Sequence, residues 1–518
     1  VANKPVVIIG AGIGGQACAI DLAAQGICVT VVERAERAGG KMRETLLEGT
    51  RIDSGPTVFT MRWVFDALFT AAGASFDDHV TLRPLDILAR HAWSETERFD
   101  LFADIAHAAD AVGEFSGPAE ARRFLAFCAE AKAIYRTLKE PFLAAPLPNP
   151  ISLSARIGLH RPGALLGIRP FETMWHALSR HFHDPRLRQL FGRYATYNGA
   201  SPFLSPATLM LIAHVEQDGV WRIEGGMQRL AEALEKLARA RGVMFHFGQE
   251  ARKILVEKGR ATGVVLASGE KLDASAVVVN ADAAAVAQGL LGEAVRPAVE
   301  PMAMQHRSLS AMTWAMTART NGLPLLHHNV FFSSDYAREF EQIFRQSQLP
   351  QAPTVYVCAQ DRDGSPKPGA ERLFLLMNAP ANGDRKHFSP EEIAQCQARM
   401  FRLLERCGLQ VMPHATKVTT PADFHRLFPA TGGALYGRAS HGWMASFRRP
   451  GSATAIAGLY LAGGSTHPGA GVPMAALSGR LAAQRLISDR ASMRRYRPGA
   501  IFGGISTASA TTDALPSP

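Results

Sequence analysis

Two glycine-rich strand–turn–helix segments stand at opposite ends of this chain, and together they restrict its fold more than any other feature. The first is "VVIIGAGIGG", Val6–Gly15; the second is "LYLAGGSTHPGAGVPMAALSGRLAA", Leu459–Ala483. One such turn is explained by one phosphate. Two of them, more than four hundred residues apart, predict that both ends of the polypeptide are brought to a single long ligand.

The residues of the first turn fit G-x-G-x-x-G, from Gly10 through Gly12 and Gly14 to Gly15. Gly10 allows a tight turn, Gly12 lets backbone N–H groups approach a pyrophosphate, and Gly15 permits close helix–strand packing. A phosphate there rests on the positive end of a helix dipole. Glu33 ends the second strand, "CVTVVE", eighteen positions beyond Gly15 and just before Arg34, where an acid can accept from ribose hydroxyls. The glycines alone also suit a plain structural turn; strand, helix and acid in sequence point to a dinucleotide.

The sequence also indicates which dinucleotide. "RAERAGGKMRE" puts Gly39, Gly40 and Lys41 in another glycine turn, and "RIDSGPTVFTMRWVF" follows with Gly55, Pro56 and Thr57. A nicotinamide-only domain needs neither, whereas FAD reaches farther, to ribityl and flavin. No second G-x-G-x-x-G is present, so no separate NAD(P)H domain is expected. At the other end, "LYLAGG" reads as a strand running toward the cofactor, with Gly463, Gly464, Gly469 and Gly471 keeping side chains away. Val472, Pro473 and Met474 then open a helix, proline suiting its first turn. That helix N-terminus would stabilise negative charge on the flavin N1–C2=O edge.

A length of 518 residues exceeds the roughly 250–300 at which a single core stops growing, so at least two domains are expected. "PVVIIG", "CVTVVE", "AVVVNAD" (Ala276–Asp282) and "AGLYLAGG" are short buried strands of a doubly wound sheet. "GGMQRLAEALEKLARARG" puts Met227, Leu230, Leu234 and Leu237 on one helical face, with Gly242 closing it. "DILARHAWSETERFDLF" reads as a hairpin. "SLSAMTWAMTAR", "HHNVFFS", "TVYVCAQ" and "RLFLLMN" read as strands of a different sheet. Ser389–Glu392 is a capping box with Pro390 at the first position, opening a helix to about Cys407. The expected organisation is an α/β fold: a Rossmann-like domain from residues 1–78, 225–285 and 416–490, interleaved with a mixed-sheet substrate domain from 79–138 and 286–415. Residues 139–224 form a helical segment, and 498–518, without periodicity, read as a disordered tail.

Composition narrows the partners. Six cysteines show no metal spacing and no C-x-x-C pair, so they read as buried hydrophobes in a reducing compartment and no metal is expected. There is no apolar run long enough for a transmembrane helix. A strand beginning at Val6 leaves no room for a signal peptide, giving a cytoplasmic expectation. A net charge of +10 asks for a negative partner, but no nucleic-acid module is visible and nucleic acid is not expected. Between Glu140 and Glu172 there is no acid, while Arg156, Arg161 and Arg169 stand among leucines, isoleucines and prolines. Phe171, Met174, Trp175, Leu178 and Phe182 continue at helical spacing. The stretch fits either an ordinary surface region or a patch touching an anionic membrane.

These motifs, with "VVERAERAGGKM", "DSGPTVFTMRWVFDALF", "VVVNAD" and "GGALYGRASHG", resemble the bacterial carotenoid desaturases, the phytoene-desaturase type of flavin amine oxidase-like protein. The resemblance runs from Val6 to about Ile487 and is weakest between Glu140 and Tyr194. Within the family, "GPTVFTMRWVFDALF" and "YATYNGASPFLSPATLMLI" look closest to the hydroxyneurosporene desaturases, which place a 3,4 double bond in 1-hydroxycarotenoids of the spheroidene pathway. It implies FAD-dependent dehydrogenation of a C–C bond in an acyclic carotenoid, at the cytoplasmic or photosynthetic membrane, with electrons passed to an unidentified acceptor. Phytoene as substrate, a cis–trans isomerase of the same fold, and a flavin-free prenyl-binding escort protein remain alternatives. The candidate cofactor residues are Gly10, Gly12, Gly14, Gly15, Glu33, Arg34, Gly39, Gly40, Lys41, Gly55, Pro56, Thr57, Asp282, Gly463, Gly464, Gly471, Val472, Pro473 and Met474. Hydride chemistry on a polyene asks little of side chains, and no catalytic residue is named. His467, Arg438 and His441 stand where they could contact flavin or substrate, but read first as loop or capping residues. Trp175, Phe182, Tyr194, Tyr197, Phe203, Met210, Met316, Phe331 and Phe332 are most simply core, with some available to line a tunnel.

Overall fold

The computed structural model describes residues 4–158, 162–362 and 369–495. Arg161 and the tail 498–518 lie outside them. Five short strands form a wholly parallel sheet in the order Leu459–Leu461, Ala276–Val279, Val6–Ile9, Val29–Val32, Met244–His246. The four-residue strands VVII, VTVV and AVVV are buried throughout, as parallel strands covered on both faces must be. On one face pack the helices Ile13–Ala24, Gln228–Ala240 and Val472–Arg495. On the other lies a three-stranded antiparallel sheet built from Ala251–Glu257, Arg260–Leu266 and Lys271–Asp273.

The two glycine motifs meet in space. A methyl group on Gly14 would lie 2.9 Å from the Ala475 carbonyl oxygen and 3.0 Å from Gly463 Cα, and one on Gly479 would lie 2.0 Å from the Gly14 carbonyl oxygen. The first and last helices therefore touch backbone to backbone, a contact open only to glycine.

A seven-stranded mixed sheet forms the second unit, in the order Leu409–Thr419, Ser310–Gly322, Glu371–Ala379, Val355–Ala359, His328–Phe331, Ile87–Ala92, Arg98–Phe102. The last two are the predicted hairpin, joined to the rest through the one parallel pair named in this sheet, Ile87–Ala92 with His328–Phe331. Its outer strand, Leu409–Thr419, runs past the expected boundary at 415. Helix Pro390–Arg406 is capped by reciprocal Ser389 and Glu392 bonds. The helical layer begins earlier than residue 139: Ile105–Ser116 and Pro118–Leu138 share one core with Met174–His181, Pro185–Gly192 and Leu211–Gln217. Phe124 and Phe127 of the long helix are buried against Phe182 and Phe191, a contact between segments that no local pattern announces.

Candidate active site

Between the two sheets lies a continuous cavity of about 1560 Å³, beyond the ~300–1,000 Å³ of an ordinary small-ligand site. One arm is lined by backbone: Gly10, Gly12, Gly14, Gly39, Gly40, Gly463, Gly464 and Gly471 all reach it, with Glu33, Arg34, Lys41, Gly55, Pro56, Thr57, Asp282, Val472, Pro473 and Met474. Gly15 lies behind this wall, where a Cβ would stand 2.1 Å from the Gly10 carbonyl oxygen. The other arm is apolar, walled by Leu138, Phe142, Leu153, Ile168, Ile212 and Phe447, and one face of the seven-stranded sheet closes it through Thr313, Tyr356, Leu376 and Asn378.

The glycine arm is held in shape by its own polar groups. Ala11 N–H and Ala35 N–H donate to the two oxygens of Glu33 at 2.7 and 2.8 Å, so the carboxylate is fixed at the strand end. Gly39 N–H donates to the Ala11 carbonyl at 3.0 Å, placing the second glycine turn beside the first. Asn280, which the sequence reading passed over, donates from Nδ2 to the Gly10 carbonyl at 3.2 Å, and its side chain also faces Gly14 and Gly463. It braces both motifs at once. Arg34 reaches across to the Leu427 carbonyl.

Charge on this arm is unbalanced. Lys41 Nζ donates to the Leu435 carbonyl at 2.6 Å, and Arg449 donates to the carbonyls of Tyr436, Gly464 and Arg438. Burial pushes Lys41 below its ordinary value and Arg449 down to about 10, with nearby Asp282 pulling both the other way. Asp282 caps a short helix through Oδ1 and leaves Oδ2 without a partner among the described residues. Among the described residues neither cation has a carboxylate in contact, so an anion on this wall gains two cations. The open first turn after Gly12, which carries no side-chain cap, adds further donors. The arm fits a long ligand with a negatively charged middle.

The apolar arm carries one polar island that the sequence did not single out. Tyr194 and Tyr197 donate to Glu216 at 2.6 and 2.5 Å, and the Arg193 guanidinium lies over both rings. Burial raises both phenols above their ordinary range, so they stay protonated. Arg193, Tyr197 and Glu216 line the cavity. Of the nine aromatic and methionine residues considered from sequence, only Tyr197 does so among the described lining residues; the others pack in the cores. His467, Arg438 and His441 do not line it. His467 bonds the Ala145 carbonyl at 2.9 Å and burial lowers it to about 4; His441 accepts from Ser201 N–H.

The sequence shows no metal spacing, yet the fold brings donor atoms of His327, His328 and Cys358 within 4.8 Å of one another. Strand pairing does this, His328 standing opposite Cys358, across a separation that carries no motif.

A parallel sheet offering two glycine turns and a helix N-terminus to one cavity, with a mixed sheet closing a long apolar arm, defines a dinucleotide-binding flavoprotein oxidoreductase. The chain belongs to the flavin-containing amine oxidoreductase family, whose pattern it matches over residues 13–487, and its cofactor is FAD. It is 54% identical over 515 residues to a hydroxyneurosporene desaturase of Rubrivivax gelatinosus, covering 98% of each chain. It is 45% identical to the hydroxyneurosporene desaturase of Cereibacter sphaeroides, over 95% of this chain and 99% of that one. Among solved structures it shares the fold of an oxidoreductase from Methanosarcina mazei, with a TM-score of 0.55 and 18% identity, covering 94% of this chain and 100% of the other.

Proposed function

We propose that this protein is an FAD-dependent carotenoid desaturase that introduces the 3,4 double bond into a 1-hydroxycarotenoid such as 1-hydroxyneurosporene. The observation that carries this reading is the single cavity: its glycine arm accepts the flavin nucleotide, and its apolar arm continues from the same space, walled mainly by aliphatic and aromatic side chains with a few polar groups among them. When bound, FAD supplies the two-electron acceptor for a hydride leaving the polyene. The chain's own residues align the substrate and exclude water, which is the main source of rate in such chemistry. The glycine residues, Glu33, Lys41 and the 472–474 helix start hold the nucleotide. Glu216, hydrogen-bonded by Tyr197, is the carboxylate on the apolar arm that is available to take up the proton lost from the neighbouring carbon.

The surface at the mouth of the apolar arm supports delivery of substrate from a membrane. Ile151, Leu166 and Phe171 are 82%, 74% and 76% exposed, and Phe171 stacks edge-on against Trp443. Leu153, Ile168, Pro170 and Trp443 from the same segments line the cavity. No helix of the described residues is long and apolar enough to cross a membrane; the contact proposed is a peripheral one. The positive charge of this surface is smaller than the sequence suggests, because Arg169 is paired with Glu130 and Glu172. Apolar side chains, more than basic ones, carry the contact.

Incubation with 1-hydroxyneurosporene and with phytoene in parallel tests the reading. The expected product is two hydrogens lighter than 1-hydroxyneurosporene, with an absorbance band moved to the red. Unchanged mass with altered double-bond geometry would make the protein an isomerase instead, and product from phytoene alone would move the substrate to an earlier polyene.

A further inference from the structure

A hydrocarbon tunnel needs no hydroxyl chain in its wall, yet one runs into this cavity. His328 Nδ1 lies 2.7 Å from Tyr356 Oη, and Tyr356 Oη lies 2.7 Å from Thr57 Oγ1. Tyr356 and Thr57 line the cavity while His328 is buried behind them. Thr57 sits in the turn that faces the glycine arm, so the chain ends where the two arms join. We propose that this Tyr356–Thr57 pair, oriented by His328, is the site that reads the tertiary hydroxyl of the substrate and so selects 1-hydroxylated over unhydroxylated polyenes. The inference rests on the carotenoid reading above.

Two arguments place it there. The first is covalent reach. The oxygen on C1 is separated from C3 by two C–C bonds and one C–O bond of about 1.5 Å each, so it stays within about 4 Å of C3 and about 5 Å of C4. A group that reads this hydroxyl must adjoin the flavin, not the far end of the tunnel. Two other polar groups of the wall are engaged elsewhere. Thr354 N–H and Oγ1 both donate to Glu339, at 3.1 and 2.7 Å, and Asn378 also bonds that carboxyl. The phenol hydrogens of Tyr194 and Tyr197 are spent on Glu216.

The second argument is the direction of the hydrogens. His328 is buried, and its ring hydrogen-bonds the uncharged Tyr356 hydroxyl with no carboxylate in contact among the described residues, an environment that holds the neutral ring with one N–H. Its Nε2 has no hydrogen-bond partner among the described residues. A hydrogen on Nε2 would be an orphaned buried donor, which costs more than an unused acceptor lone pair. The hydrogen therefore sits on Nδ1 and is donated to Tyr356 Oη; of the two acceptors beside the phenol, the Cys358 sulfur is the weaker, which favours donation to Thr57 Oγ1 and leaves the Thr57 hydroxyl hydrogen to point into the cavity. A substrate oxygen beside Thr57 completes the chain.

The test compares kcat/KM for 1-hydroxyneurosporene and for 1,2-dihydroneurosporene, the same polyene with hydrogen in place of hydroxyl, in wild type and Tyr356→Phe. Loss of the phenol oxygen is expected to lower the hydroxyl-to-hydrogen preference by about 10- to 100-fold, at unchanged flavin absorbance per protein. An unchanged preference with the flavin retained overturns the assignment and leaves the desaturase reading standing. If Tyr356→Phe fails to hold flavin, wild type and Thr57→Ser decide: a wild-type preference for the hydroxylated polyene below tenfold, or one that Thr57→Ser leaves unchanged, overturns the assignment, and a preference of about tenfold or more that falls in Thr57→Ser, its hydroxyl freed to rotate, supports it. Turnover of neither polyene by wild type brings down the desaturase reading itself, and this assignment with it.

Discussion

A methyl group at Gly15 would stand 2.1 Å from the Gly10 carbonyl oxygen and 2.9 Å from Asn280 Nδ2. Neither neighbour is free to move, since one is backbone in the nucleotide turn and the other is bonded to it. Gly15→Ala is therefore expected to open the turn and cost about 1–3 kcal/mol, read as lower thermal stability together with lost flavin absorbance; a variant that retains both would contradict the packing. Glu216→Gln keeps the shape of the tyrosine-bound carboxylate but not its basicity. Its kcat should fall by about 100-fold or more while KM for the carotenoid holds, and a kcat within twofold of wild type would remove Glu216 from proton transfer. Asp53 gives a pH signature. Burial raises its carboxyl to about 6, although Met227 N–H donates to Oδ2 at 2.7 Å. A folded-state value above the ordinary carboxylate value means the charged form is disfavoured by folding. Stability linked to this group is lost as pH rises from about 4 to about 6 and stays lost above that. Asp53→Asn should therefore gain on wild type at pH 8 by at most about 3 kcal/mol and lose that advantage below pH 4, as denaturant midpoints at the two pH values will show.

Elements differ in how much of themselves they display in sequence. The glycine turns, the buried four-residue strands and the Ser389 capping box were legible because their physics is local: a φ, a dipole, an N-cap and its partner three residues on. The hairpin at Ile87–Phe102 was legible for the same reason. The polar groups of the substrate arm were not. His328, Tyr356 and Thr57 come together only when the Val355–Ala359 strand pairs with His328–Phe331 and the turn after Thr50–Asp53 packs beneath them. Asn280 was in view but carried no signal of its own, because its role is set by two turns far away in the chain. Helix Pro150–Ile157 tests the element scale directly. It is closed by an Asn149–Ser152 capping box, yet presents Ile151 outward while Leu153 faces inward. Replacing Ile151 and Phe171 together by glutamate should abolish flotation with liposomes and slow turnover of membrane-borne substrate, while detergent-dispersed substrate is used at the wild-type rate. Equal flotation of variant and wild type would show that this face does not meet lipid.

At the scale of the whole molecule, the chain is closed on itself through the parallel sheet. Leu459–Leu461 adds to the edge of Ala276–Val279, and the helix that follows lies against Ile13–Ala24 at Gly14 and Gly479. The second sheet is inserted between these ends in sequence and faces the same cavity in space. A ligand that touches both glycine motifs and Thr57 therefore ties together parts that the chain joins only through long excursions, and its binding energy is folding energy for the whole. Saturation with FAD at about 100 times its dissociation constant should stabilise the native state by about 2.7 kcal/mol. The gain should appear as one shifted transition, followed by both tryptophan fluorescence and flavin release, because no part of the cradle survives alone. Protease digestion gives the same answer site by site. Stripping the flavin should expose cleavage in the loops flanking Leu459–Leu461 and near Gly39 together, and restoring FAD should protect both together. Protection of the first glycine motif alone would mean that the C-terminal motif packs without touching the cofactor, and that the convergence of the two ends serves the fold and not the flavin.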